Sequence, residues 1–389
     1  MEKIKGIFKN NLRQYAMLLA LVVIMALFQV LTDGILLKPQ NVTNLILQNS
    51  YVIILAIGMV LCILTGGNID LSVGSVVAIV GAITGTLIVT MKVSIPLAII
   101  VGLLAGLVIG IWQGFWIAYV RIPAFIVTLA GMLLFRGLTL IVLQGKTISP
   151  FPKSFLTISG GFIPDFLGNG SKFNMTTVII GVIISAVYLV LEFRKRANKK
   201  KYDFEVLSTP LFIGQLVIIL VVLNLFAYWL ASYKGIPVVL VLLAVLIIGY
   251  SFITTKTTLG RHIYAIGGNE KAAKLSGVNT NKVLFLTYVN MGVLAAVTGI
   301  VFTSRLMAAT PTAGTNFELD AIAACFIGGA SATGGVGTVI GAIIGALVMG
   351  VLNNGMSILG VGSDWQMAIK GCVLLAAVAF DIMSKNKSR

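Results

Sequence analysis

Charge is scarce in this chain. Only 10% of its 389 residues are Asp, Glu, Lys or Arg, against roughly a quarter in soluble domains, while 58% are hydrophobic. A soluble fold of this length has too little interior to hide so much apolar surface. Histidine occurs once, at His262, and acidic residues number 12, which leaves little material for general acid–base chemistry. Glu318 and Asp320 stand two apart, a spacing that turns them in different directions on a helix, and no catalytic residue is expected. The three cysteines, Cys62, Cys325 and Cys372, lie in apolar runs without metal-ligand spacing; they read as small buried hydrophobes, not as a disulfide or metal site. Gly145-Lys-Thr147 resembles the end of a phosphate-binding loop, but Leu140 stands where that loop needs its first glycine. No other Gly-Lys-Ser/Thr occurs, so ATP is expected to be handled by another polypeptide. Neither a cofactor nor a metal is expected in this chain.

What is abundant is apolar sequence in runs of about 20 residues, the length a helix needs to cross the hydrocarbon core. Twelve spans are read, at 15–32, 46–64, 70–90, 95–119, 124–143, 175–193, 209–230, 237–254, 283–303, 318–331, 335–357 and 365–383. The fold class is all-α, a polytopic transmembrane helix bundle. The apolar run from Tyr15 to Leu31 has no small-residue cleavage pattern after it, so it is read as a retained span and not as a secretory signal. Helix starts are legible at Thr209 before Pro210, at Thr315 with Glu318 three later, and at Ser363 with Gln366 three later.

A formal charge of +16 in a soluble protein would point to nucleic acid or an acidic surface, so the placement of the basic residues matters. With the N-terminus inside, the inner segments hold 19 Lys and Arg and the outer segments seven. The inner set comprises four before Tyr15, Arg121, six in Arg194–Lys201, five in Lys256–Lys282 and three after Ser384. The outer set is Lys38, Lys92, Lys146, Lys153, Lys172, Lys234 and Arg305. Short cytoplasmic loops keep the positive charge, so both termini are expected in the cytoplasm. The basic balance then records topology, and no nucleic-acid partner is expected.

Two hydrophilic insertions interrupt the spans, an external loop at 145–173 and a basic cytoplasmic loop at 194–208. Neither is long or apolar enough for a core of its own, so residues 1–389 read as one membrane domain. Two further stretches break the helical pattern: Thr65-Gly-Gly-Asn-Ile-Asp-Leu-Ser-Val-Gly-Ser75 and Gly328-Gly-Ala-Ser-Ala-Thr-Gly-Gly-Val-Gly337. Each is followed by a similar apolar run, a weak internal repeat. Paired glycine-interrupted helices expose backbone groups to a polar pathway in transporters, which makes Asn68, Asp70, Ser72 and Thr333 candidate lining residues. The alternative is that the glycines allow close helix packing and that Asp70 or Ser72 caps the third span. Arg136, deep in the fifth span, is expected to need an acidic or carbonyl partner in the bundle, and Lys370 lies inside the twelfth. Asn353 and Asn354, late in the eleventh span, either face a pathway or bridge helices.

The segment 255–282 joins two spans on the cytoplasmic side. Within it, Asn269 can cap a short helix from Glu270 to Ser276 that Gly277 would stop, and Glu270 and Lys274 form an i,i+4 pair. Such a helix can dock on a cytoplasmic partner; the alternative is a solvated connection.

At this segment the chain resembles the permease subunits of bacterial ATP-binding-cassette monosaccharide importers of the ribose, xylose and galactose type. Four stretches carry the resemblance: Gly66–Ser75, Phe125–Gly137, Gly260–Gly277, and Pro311–Ala324 with the glycine-rich run after it. The extra pair of spans at about 175–230, which shorter members lack, is similar to the xylose and multiple-monosaccharide branch. The resemblance implies a multi-pass protein of the bacterial cytoplasmic (inner) membrane that works as a homodimer embedded in lipid. It implies two copies of a cytoplasmic ATPase using ATP and Mg, and an extracytoplasmic sugar-binding protein. Ala272, Ala273 and Gly277 match the core of the family's coupling loop, with Glu270 one place before its usual acidic position. Arg305 and Glu318 are expected to face the binding protein. The other readings are an ion-coupled secondary sugar transporter, with Asp70 its best ion-site candidate, an importer permease for another small polar solute, and a membrane receptor, for which no loop supplies a cytoplasmic domain.

Overall fold

The computed structural model describes residues 2–168, 173–204 and 206–386. Lys172, Lys387 and Arg389, and Glu205 in the basic insertion, lie outside the described residues, as do the side chains of the four basic residues before Tyr15. Among the described residues the chain forms 15 α-helices. In order these are α1 (Glu2–Leu31), α2 (Pro39–Leu64), α3 (Val73–Gly85, extended by a π-helical turn at Thr86–Thr90), α4 (Ile95–Ala118) and α5 (Ala124–Leu143). There follow α6 (Lys153–Gly160), α7 (Met175–Lys201), α8 (Thr209–Ala231), α9 (Val238–Lys256) and α10 (Thr258–Gly268). The last are α11 (Glu270–Leu275), α12 (Thr280–Leu306), α13 (Phe317–Ile327), α14 (Val339–Ile358) and α15 (Ser363–Asn386).

Among the described residues nine helices are long and apolar enough to cross a membrane: α2, α3 with its π turn, α4, α5, α7, α8, α9, α12 and α14. Three of the twelve expected spans differ. The apolar part of α1 is the shorter stretch Met17–Leu31, and α15 carries Asp364, Lys370, Asp381 and Lys385. The expected span at 318–331 is the 11-residue α13, which at 1.5 Å per residue covers about 16 Å, half of the hydrocarbon core. Its continuation is the glycine-rich run, so this helix is discontinuous.

The chain divides into two compact units. The first holds residues up to Leu36, Leu45–Gly160 and everything from Val239 onward; the second holds Leu37–Asn44 and Gly161–Val238. In the first, 83% of the apolar window of α2 is buried against 22% for α4, so α2 lies at the centre and α4 keeps one face outward. That inward face of α4 is a stripe of Gly102, Gly106, Gly110 and Gly114 at four-residue spacing. A Cβ at Gly106 would stand 2.4 Å from the Ala296 Cβ and 2.6 Å from the Gly292 carbonyl oxygen of α12. Helices in lipid gain no hydrophobic drive from meeting, so such backbone-to-backbone approach supplies the packing instead. Arg136 of α5 donates through Nη1 to the carbonyls of Pro311 at 3.0 Å and Ala313 at 2.6 Å, the carbonyl partner expected of a deep cation. Part of the external loop is structured: in α6, Phe155 is fully buried and its carbonyl accepts from Ser304 Oγ of α12 at 2.7 Å.

The second unit contains the extra pair of spans. Gly181 of α7 faces Ala227 of α8, and Asn224 Nδ2 donates to Ser185 Oγ at 3.0 Å. The basic stretch read as a loop is helical, because α7 runs to Lys201; three lysines in its last turn meet the negative end of the helix dipole, and no breaker intervenes. The Arg196 guanidinium lies 4.3 Å over the Phe212 ring. Before α7, Asp165 gathers hydrogen bonds from the N–H groups of Leu167, Gly168, Met175 and Thr176 and from Thr176 Oγ1.

Three expected helix caps are placed differently. Ser208, not Thr209, occupies the cap position of α8. Thr315 turns back to the Thr312 carbonyl, and Asn316 precedes α13 in a left-handed conformation without a side-chain cap. Ser363 is the first residue of α15, where Gln366 N–H bonds to the Gly362 carbonyl.

Candidate functional site: a broken-helix junction and a polar cleft

The two glycine breaks meet. Gly335 N–H donates to the carbonyl of Leu64, the last residue of α2, at 3.1 Å. A Cβ on Gly67 would lie 2.2 Å from the Ala332 carbonyl oxygen, and one on Gly334 would lie 2.5 Å from Gly66 Cα. No side chain fits between these segments, so glycine there is a requirement of packing. The cytoplasmic segment joins the same point: a Cβ on Gly267 of α10 would stand 1.8 Å from the Leu64 carbonyl oxygen and 2.4 Å from Gly335 N. Tyr264, one turn earlier on α10, donates its hydroxyl to the Gly337 carbonyl at 2.8 Å. Both breaks and the α10 segment therefore form one junction.

Asp70 is buried beside it. Its Oδ1 accepts from Ser72 N–H at 2.8 Å and Ser72 Oγ at 2.7 Å, and Gln113 Nε2 of α4 donates to Ser72 Oγ at 2.5 Å. Ser72 occupies the cap position of α3 but its side chain makes no capping bond; Asp70 instead holds the turn ahead of the helix. Asn68 donates to the carbonyl and hydroxyl of Thr65 at 3.2 and 3.3 Å, and Thr333 Oγ1 pairs with Ser331 Oγ at 2.9 Å.

From the junction the chain continues into α11. Asn269 Oδ1 accepts from Ala272 N–H at 3.0 Å, capping the helix as expected. Gly277 at φ +87° closes it, with Val278 N–H bonded to the Ala273 carbonyl and Gly277 N–H to that of Lys274, the paired bonds of a glycine helix stop. The expected Glu270–Lys274 pair does not form. Glu270 turns instead to Arg121 at 2.7 Å, and Arg121 also reaches Thr280 Oγ1 and Asn281 Oδ1. Ala273 is buried, whereas Leu275 is 90% exposed.

At the other end of the same helices lies a cleft of about 240 Å³. Gln48, Asn49 and Tyr51 line it from α2, and Gly350, Asn353 and Ser357 from α14. Arg305 closes it from the end of α12, with Gln366 and Lys370 from α15. Lys370 Nζ pairs with Asp320 Oδ1 at 2.9 Å, and the Tyr51 hydroxyl donates to Asp320 Oδ2 at 2.7 Å. The Tyr51 ring stacks on Phe317 with centroids 3.8 Å apart. Both oxygens of the buried Asp320 are thus occupied, as a buried charge requires. Among the described residues no cluster of three His, Cys, Asp or Glu could hold a metal ion.

The family described as branched-chain amino acid transport system / permease component matches residues 41–378. The xylose transport system permease protein XylH of Haemophilus influenzae is 42% identical over all of both chains. The Escherichia coli K12 protein of that name is 39% identical, covering 98% of this chain and 95% of its own. The ribose import permease protein RbsC of Escherichia coli K12 is 34% identical, covering 96% of this chain and 95% of its own. No solved structure matches the chain. The chain belongs to this family of permease components.

As a permease it is a multi-pass protein of the inner membrane and a non-enzymatic subunit, whose importer class draws on a separate ATPase and a substrate-binding protein. Within it, the residues singled out in the sequence fall at two ends. Asn68, Asp70, Ser72 and Thr333 lie at or beside the junction. Asn353 and Arg305 line the cleft together, while Asn354 Nδ2 reaches Gln48 Oε1 at 3.5 Å and bridges α14 to α2, so the two adjacent asparagines divide the lining and bridging roles. Glu318 is half-buried with its carboxylate beside Gly74 of α3 and is not among the cleft's lining residues. Cys62 and Cys325 are buried, but Cys372 is exposed on α15. Sequence reasoning missed the cleft residues Gln48, Asn49, Tyr51 and Gln366, although the run Gln48-Asn-Ser-Tyr51 inside an apolar helix is a signal. It also missed α10, whose Tyr264 and Gly267 reach the junction.

Proposed function

We propose that this permease conducts a monosaccharide of the xylose or ribose kind across the inner membrane, with both termini in the cytoplasm, as a homodimer in lipid driven by a separate ATPase. The observation that carries the coupling half of this reading is the seating of α10 on both helix breaks. A push on α11 from a cytoplasmic partner passes from Asn269 back along α10 to Tyr264 and its carbonyl contact, into backbone that no regular helix stiffens. Glu270, Ala272, Ala273 and Gly277 make the docking element, and the exposed Leu275 offers an apolar knob for a groove on the ATPase. The full relation to XylH and RbsC supports the sugar. Residues 1–389 act as one permease unit in this reading, and an extracytoplasmic binding protein delivers sugar near Arg305 and Glu318. Asn68, Asp70, Ser72 and Thr333 shape the inner end of the pathway.

The test is uptake into proteoliposomes of labelled xylose, ribose and galactose, by the permease alone and with its neighbouring ATPase and binding protein. Uptake of a monosaccharide only in the complete, ATP-supplied system is expected. Uptake by the chain alone down an ion gradient would overturn the reading.

A further inference from the structure

We propose that the polar cleft among α2, α12, α14 and α15 is a monosaccharide-binding site within the permease itself, a relay between the delivering protein and the junction. The inference rests on the sugar-import reading and assigns to it a site in this chain.

Three observations point to a neutral, hydroxyl-rich ligand. First, two lining residues hold a buried acceptor atom that no donor meets. Asn49 is 3% exposed, its Nδ2 is spent on the Ala346 carbonyl at 2.8 Å, and its Oδ1 has no partner; Asn353 Oδ1 is also unpartnered. The Asn49 amide orientation is fixed by that bond to Ala346, so the free atom is the acceptor. A fully deprotonated anion such as sulfate brings acceptors only and cannot satisfy it, whereas a sugar hydroxyl donates. Second, Arg305 adds guanidinium donors and stands in no ion pair among the described residues, so the wall offers donors and acceptors together, the pairing that a vicinal diol needs. Third, the fixed charges cancel where they are densest: Lys370 is neutralised by Asp320 at 2.9 Å, which leaves Arg305 as the sole uncompensated charge of the lining.

Gly350 leaves room for the Asn49 amide. A Cβ there would come within 2.4 Å of Asn49 Cγ and Nδ2, so any larger residue pushes the Asn49 amide from its place. Gln48 and Asn49 on α2 and Asn353 on α14 also connect the cleft by continuous helices to the two breaks, because α2 ends at Leu64 and α14 begins at Val339, two residues after Gly337.

The experiment is equilibrium binding of radiolabelled xylose, ribose and galactose to the full-length permease in lipid nanodiscs, without ATPase or binding protein. Saturable binding of at least one sugar is expected, weak enough to release, with a dissociation constant on the order of 1 mM. Asn49→Leu and Asn353→Leu should each weaken it about tenfold, the effect of one lost hydrogen bond to a ligand. Asn353→Leu is the safer variant, since Asn49 also ties α2 to α14, and unchanged elution as a monodisperse particle shows that either variant has folded. Sulfate, which has no donor for the asparagine acceptors, should not displace the label. Absence of saturable binding by the wild type, binding untouched by both substitutions, or displacement by sulfate would each overturn the proposal. If the complete system imports sugar while the isolated permease binds none, the cleft proposal falls and the import reading stands.

Discussion

Replacing Gly267 by Ala adds one methyl group to the permease where α10 touches both helix breaks. The new carbon would start 1.8 Å from the Leu64 carbonyl oxygen and 2.4 Å from Gly335 N, whereas ordinary contact begins at 3.4 Å. Both contacts are to backbone, so no side chain can turn aside, and relief requires α10 to retreat by roughly 1.6 Å, the shortfall at Leu64. That retreat leaves the 3.1 Å bond from Gly335 N–H to the Leu64 carbonyl under strain. Overpacking of this kind costs about 1–3 kcal/mol and a weakened hydrogen bond about 1 kcal/mol. Alanine's better helix propensity returns up to about 1 kcal/mol. A net of about 1–3 kcal/mol against the seated arrangement lowers its population relative to the unseated one by roughly 5–150-fold. The assay is the number of sugar molecules imported per ATP hydrolysed in proteoliposomes holding permease, ATPase and binding protein. ATPase association and hydrolysis should persist, while the ratio falls at least about fivefold. Gly268→Ala is the control, because no atom lies within 4 Å of its added carbon, and it should leave the ratio unchanged. Wild-type coupling in Gly267→Ala would refute the mechanical role of the junction.

Gly277→Pro replaces a residue at φ +87° by one restricted to about −65° and deletes the N–H bonded to Lys274. Membrane insertion should be normal and ATPase recovery in a pull-down lost; undiminished recovery would remove α11 from the docking role. Lys370→Met strands the buried carboxylate of Asp320, 3% exposed in its side chain, and should cost about 3 kcal/mol, read as a lower melting temperature in detergent. Adding Asp320→Asn to it should restore most of the loss. Asp165 lies outside the spans: desolvation pushes its carboxyl up, but the bonds from Thr176, Met175 and Leu167 outweigh that and hold it at about 2. Because the folded value is depressed, its contribution is complete above about pH 4 and disappears as pH falls through about 2. Hydrogen exchange at the Thr176 amide should accelerate over that interval in the wild type, and already at neutral pH in Asp165→Ala.

The second unit shows how far local signals reach. Its two helices were legible from apolar run length and their place as an insertion from the family resemblance, whereas the polar bridge between Ser185 and Asn224 came only with the structure. The end of α7 was not, because a run of six basic residues in eight looks like a loop until one notes that no glycine or proline ends the helix before Tyr202. Likewise Phe151 and Phe155 hide in a proline- and glycine-rich loop, and only their stacking beneath α12, with rings 4.9 Å apart, makes that loop part of the core. Glu270 carries the same lesson in charge: its i,i+4 lysine was the only partner that sequence spacing offered, yet Arg121, 149 positions away, is the partner it takes.

By itself the sequence determined that the protein lives in a bilayer, where most of its long apolar helices run, that it carries no phosphate loop, and where α11 starts and stops. All of these follow from composition or from residues within one or two turns of each other, and the energies involved are local. Only the tertiary structure decided that the two glycine breaks and α10 are one junction, and that Gln48, Asn49, Arg305, Asn353 and Gln366 face one another across a cleft. Those groupings join residues hundreds of positions apart, and they are fixed by which helices can approach closely enough at glycine for backbone to touch backbone, a property of packed helix pairs that no single helix carries.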